Sequence, residues 1–101
     1  LARLPNTYLK VPGLGEISAR PPVLGREFKP ESMPPLIEIA LDAFGPKRMM
    51  WGSDYPPVST REGYDNSLRL PLEYFSDLSE DDRASIFGAT AQAVWGLPAV
   101  N

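Results

Sequence analysis

Hydrophobic positions fall into separate stretches divided by proline- and glycine-rich breaks, and the period differs from one stretch to the next. Thr7-Tyr8-Leu9-Lys10-Val11 is rich in β-formers and closes at Pro12-Gly13, which predicts a short strand over residues 7–11. Residues 12–31 show neither a period of 2 nor one of 3.6. They hold Gly13, Gly15 and Gly25 with Pro12, Pro21, Pro22 and Pro30, the composition of a long loop. Met33, Leu36, Ile37, Ala40, Leu41 and Phe44 then recur at helical spacing as one apolar stripe, with Glu38 and Asp42 off it. The spacing predicts a helix over about 32–44, capped by Ser32, with Pro34 and Pro35 in its first turn and Gly45-Pro46 at its end.

Arg48-Met49-Met50-Trp51-Gly52 is apolar without alternation and too short for a helix. It reads as a strand buried on both faces, as in a parallel sheet. After a second loop over 53–63, a helix is expected over about 64–75, kinked or divided at Pro71. Ser79-Glu80-Asp81-Asp82 resembles an N-cap with an acidic first turn and opens a last helix over about 80–95, where Gly88 is a possible interruption.

The order strand, long loop, helix, short turn, strand, long loop, helices amounts to one βαβ unit with a helical tail, an α/β fold with a right-handed crossover. Both loops that follow a strand are long, whereas the connection from helix to strand is three residues, Gly45-Pro46-Lys47. In a (β/α)8 barrel that asymmetry marks the catalytic face, because the βα loops carry chemistry and the αβ turns carry stability.

Composition narrows the chemistry. The chain has 101 residues, 10 basic against 13 acidic, for a formal charge of −3. That balance offers no footprint for nucleic acid or an anionic membrane. Without cysteine or histidine it has no disulfide, no thiolate nucleophile, and neither the commonest metal ligand nor the usual neutral-pH base. No apolar stretch approaches the roughly 18 residues of a membrane span. The opening Leu1-Ala2-Arg3-Leu4-Pro5 resembles neither a native start nor a secretory signal, so the chain is expected to be a piece of a longer protein; this start leaves the compartment almost unconstrained, and a cytoplasmic location is the default expectation.

Asp54, where the buried strand runs out in Trp51-Gly52-Ser53-Asp54-Tyr55-Pro56, is the sharpest candidate. Facing a barrel mouth, strand alternation would set Met50 and Gly52 on the inner face and Met49 and Trp51 against helices. A carboxylate there could ligate a metal or take a proton from water; the alternative is a cap on the following loop or helix. Tyr8 and Lys10 share a face, and the Lys10 ammonium could meet a substrate carboxylate or developing oxyanion or simply reach solvent. Arg20, Arg26 and Arg61 could hold an acidic substrate, Tyr55 and Tyr64 could line the mouth, and Glu16, Glu27, Glu31 and Glu62 are possible acids or bases that no spacing selects.

Asn6-Thr7-Tyr8-Leu9-Lys10-Val11, Phe44-Gly45-Pro46-Lys47-Arg48-Met49-Met50-Trp51-Gly52-Ser53-Asp54-Tyr55-Pro56, Ile86-Phe87-Gly88-Ala89-Thr90-Ala91 and Val94-Trp95-Gly96-Leu97 together resemble the C-terminal part of the amidohydrolase-2 family. That family of (β/α)8-barrel enzymes includes lactonases, 2-pyrone-4,6-dicarboxylate hydrolases and decarboxylases of unsaturated or aromatic acids. The resemblance implies that residues 7–11 are strand seven, that residues 48–52 are strand eight, and that Asp54 is the active-site aspartate. In metal-dependent members this aspartate sits beside a divalent ion, usually zinc, and helps activate water. The histidine ligands from strands one, five and six are missing here, and Thr90 stands where asparagine is more usual. The implied activity is hydrolysis of a small organic acid, lactone or amide by a longer parent, with decarboxylation as the variant. A non-catalytic binding or assembly module, whose Pro-rich loops and apolar edges pair with another chain, a homo-oligomer being one form of this, is the alternative from another class.

Overall fold

The computed structural model describes residues 1–15, 17 and 34–98. Strand β1 spans Leu9–Val11 and β2 spans Met49–Trp51, and the two pair in parallel with Leu9 opposite Met49, Lys10 opposite Met50 and Val11 opposite Trp51. Both are shorter than the apolar runs that predict them, although Gly52 N donates to Val11 O at 3.0 Å and so continues the ladder one residue. Helix α1, Leu36–Phe44, crosses between the strands and returns through a 3-10 turn at Pro46–Arg48. It starts four residues later than expected, with Pro35 at its N-cap; Ser32 and Met33 lie outside the described residues.

Strand alternation sorts the side chains as a two-faced sheet requires. Leu9, Val11, Met49 and Trp51 turn towards Ile37, Leu70, Phe75 and Ile86 and form the core with them. Lys10 and Met50 occupy the opposite face, Lys10 exposed and Met50 buried. Arg48 ties the residues before β1 to β2. Its guanidinium donates to Ala2 O at 2.8 Å, Leu4 O at 2.7 Å and Thr7 O at 3.1 Å while stacking on the Phe44 ring.

Helix α2, Tyr64–Tyr74, is one helix with Pro71 inside it, so the division expected there does not occur. A proline lacks the N–H that would reach the carbonyl four residues back, which is that of Ser67. The Trp51 indole N–H donates to Ser67 O at 2.7 Å in its place. The proline therefore frees a buried acceptor, and β2 uses it to dock α2. Trp51→Phe keeps a ring but orphans that carbonyl and is expected to cost about 1–2 kcal/mol. Chemical denaturation of the full-length protein should show a smaller cost in a Pro71→Ala background, where the restored N–H serves Ser67; equal costs in the two backgrounds would break the link.

Tyr74 has its hydroxyl shut off beside Glu38 of α1, in a geometry short of a full hydrogen bond. Burial first, and the carboxylate second, push the phenol well above its usual range, while the phenol lowers Glu38. The tail is one helical run in three pieces: α3 (Glu80–Ala84), a π-helical turn (Ser85–Ala89) and α4 (Thr90–Trp95). Ser79 Oγ accepts from Asp82 N at 3.1 Å and caps it. Gly88 lies within the π turn and does not end the helical run. Thr90 is buried and donates to Pro46 O at 3.1 Å, a packing role. Among the described residues no helix is long and apolar enough to cross a membrane.

Candidate functional site

Because the strands are parallel, the loops that leave Val11 and Trp51 emerge from the same sheet edge. The first turns in at once: Gly13, Leu14 and Gly15 are buried, and Leu14 has φ +74°, a conformation a bulky side chain adopts only when its surroundings hold it there. The second passes Gly52 and Ser53 to Asp54, which has φ +59°. Aspartate tolerates this left-handed conformation, which turns the chain sharply at the strand end. A 3-10 turn at Pro57–Thr60 then leads to Arg61.

Asp54 does not cap that turn with its carboxylate. The turn is held by other groups: Ser53 Oγ accepts from Tyr55 N at 3.3 Å, and the backbone carbonyl of Asp54 accepts from Val58 N at 3.0 Å. Its carboxylate instead accepts from Arg61, Nη1 to Oδ2 at 3.0 Å, with the aspartate side chain 46% exposed. Arg61 reaches the other way to Glu62, Nε to Oε2 at 2.7 Å and Nη2 to Oε1 at 3.4 Å. The Glu62 side chain is fully buried and Arg61 is 14% exposed. Asp54, Arg61 and Glu62 thus form a chain of alternating charge leading inward from the surface.

The expected site residues therefore separate. Arg61, expected as a clamp for an acidic substrate, commits Nε and Nη1 to two carboxylates of its own chain. Tyr55 is exposed next to Asp54 and meets Tyr64 edge to face at 6.0 Å. Lys10 stands on the strand face away from the helices. Glu16, Arg20, Arg26, Glu27 and Glu31 lie outside the described residues. Glu62 was one of several unranked carboxylates in the sequence; its selection comes from burial under the Gly13-Leu14-Gly15 turn, where a Cβ on either glycine would strike it.

The zinc that the resemblance implies does not fit these residues alone. Among those described, no three His, Cys, Asp or Glu side chains converge. Asp54 offers one hard oxygen donor already bridged to a guanidinium, and zinc wants nitrogen or sulfur donors as well.

Comparison with known proteins bears on the same stretch. The amidohydrolase family matches residues 1–97. An L-fucono-1,5-lactonase of Burkholderia multivorans (strain ATCC 17616 / 249) is 34% identical over 100 residues, which cover 97% of this chain and 33% of that protein. The chain thus spans about a third of the length of this curated relative. No solved structure matches.

Proposed function

Because the chain belongs to the amidohydrolase family, we propose that the full-length protein is a (β/α)8-barrel hydrolase in which β1 and β2 are the last two strands and Asp54 is the general base. The observation that supports this most is the common edge: two parallel strands discharge their loops at one end, and the aspartate in the loop just after β2 is engaged by a guanidinium rather than by a helix cap. Catalytic groups of such barrels stand at that end. The substrate class follows from the similarity to a lactonase: a small cyclic ester, most simply a sugar-derived lactone.

In the reaction Asp54 accepts a proton from water as the water oxygen bonds to the lactone carbonyl carbon. A carboxylate has about four lone-pair directions, so the bond to Arg61 leaves capacity for the water. The tetrahedral centre then expels the ring oxygen, which takes the proton back from Asp54, and the product is the open hydroxy acid. Lys10, on the inner face of strand seven, places an ammonium for the oxyanion or for a substrate carboxylate, and Tyr55 walls the mouth. A divalent metal would polarise the carbonyl and acidify the water, with its other ligands drawn from strands beyond this stretch.

The test is a lactone panel. Full-length protein is expected to open sugar-acid 1,5-lactones with release of one proton per turnover, followed with a pH indicator in weak buffer. A folded protein that leaves lactones, amides and small unsaturated acids untouched, with divalent metal supplied, removes the reading.

A further inference from the structure

Resting on the reading of Asp54 as the base, we propose that Arg61 and Glu62 are positioning residues: buried Glu62 fixes the Arg61 guanidinium, and Arg61 in turn holds the Asp54 carboxylate in its working orientation. The geometry supplies the reason. Asp54 is nearly half exposed at the tip of a tight turn, and a short carboxylate there would otherwise rotate freely about its side-chain torsions. A planar guanidinium gripped on two edges removes that freedom, because Nε and Nη1 point in fixed directions towards Glu62 and Asp54.

The inner anchor is better fixed than the outer one. Glu62 has no exposed side-chain surface, and its backbone carbonyl accepts from Asn66 Nδ2 at 2.7 Å. A Cβ added at Gly13 would lie 2.6 Å from Glu62 Oε1, and one added at Gly15 would collide with the same carboxylate. The turn after β1 is thus closed over Glu62, and through Arg61 the loop of one strand sets the side chain at the end of the other. A buried ion pair is a poor source of stability compared with apolar packing of the same volume. Its directional hold on Asp54 is what apolar packing could not replace.

The experiment compares Arg61→Lys, Glu62→Gln and Asp54→Asn in the full-length protein on one lactone. Lysine keeps the charge but has no fork, and glutamine keeps the shape but loses the charge on the inner anchor. Arg61→Lys and Glu62→Gln are each expected to lower kcat by about 10- to 100-fold, as for a misplacement of about 1 Å, with KM within about twofold, a smaller loss than that of Asp54→Asn. A rise in KM at unchanged kcat would make Arg61 a substrate ligand and overturn the proposal. Wild-type kinetics in Arg61→Lys and Glu62→Gln beside an inactive Asp54→Asn would overturn it while leaving the base assignment standing. Full activity of Asp54→Asn would remove both. Should Glu62→Gln not fold, Arg61→Lys and Glu62→Asp, which keep every charge, decide by the same kcat and KM criteria.

Discussion

Asp54→Asn is expected to lower kcat of the full-length protein by about three orders of magnitude, in the middle of the range for removing a general base, and to leave stability within about 1 kcal/mol of wild type. The substitution is chosen for the backbone. At φ +59° most residues are strained, but asparagine populates the left-handed region at least as readily as aspartate, so the turn survives. The amide oxygen can still accept from Arg61 Nη1. What disappears is the negative charge: the ability to take a proton, and an ion pair that is half exposed and therefore weak. Asp54→Ala would mix loss of the base with about 1 kcal/mol of backbone strain and is the poorer probe. Steady-state turnover and a thermal melt on the same sample check both halves, and unchanged turnover would show that the carboxylate takes no part in the chemistry.

Sequence periodicity conveyed the elements because their physics is local. Continuous apolar residues at 48–52 mark a strand covered on both faces, and the parallel pairing to residues 9–11 follows from the intervening helix. The candidate at Asp54 was legible too, since it stands where a buried run meets a loop. Three features were not, and the last two depend on contacts distant in sequence. The start of α1 at Leu36 was misjudged because Ser32 and the prolines look like a cap and first turn whatever follows them. The continuity of α2 was hidden because Pro71 breaks helices by local rules, and its freed carbonyl is rescued by Trp51, sixteen residues upstream of Ser67. Glu62 looked like any loop carboxylate. Its burial is decided by Gly13 and Gly15, about fifty positions away, and only their lack of side chains hinted that something must approach closely.

Gly13→Ala is the sharpest test of that approach and is expected to destabilise the full-length protein by about 2–3 kcal/mol. The new methyl would sit 2.6 Å from Ser67 Cα and Cβ as well as from Glu62 Oε1. Ser67 cannot withdraw, since it is held from three sides: its N–H donates to Gly63 O at 3.0 Å, its hydroxyl to Tyr64 O at 2.6 Å, and its carbonyl accepts from Trp51. Strain must therefore be relieved by moving the first loop off α2 or by expelling the Glu62 carboxylate from beneath it. Reduced freedom of the unfolded chain recovers only about 0.4–1 kcal/mol. Gly88→Ala is the control, because among the described residues nothing lies within 4 Å of a Cβ built there and it belongs to the helical tail rather than to the inner strand face, and it should leave stability unchanged or raise it by up to about 1 kcal/mol. Urea titration of both variants reads the difference. If Gly13→Ala unfolds at the wild-type midpoint, the first loop does not rest on α2, Glu62 has no lid, and the inner anchor of the charged chain that reaches Asp54 is lost.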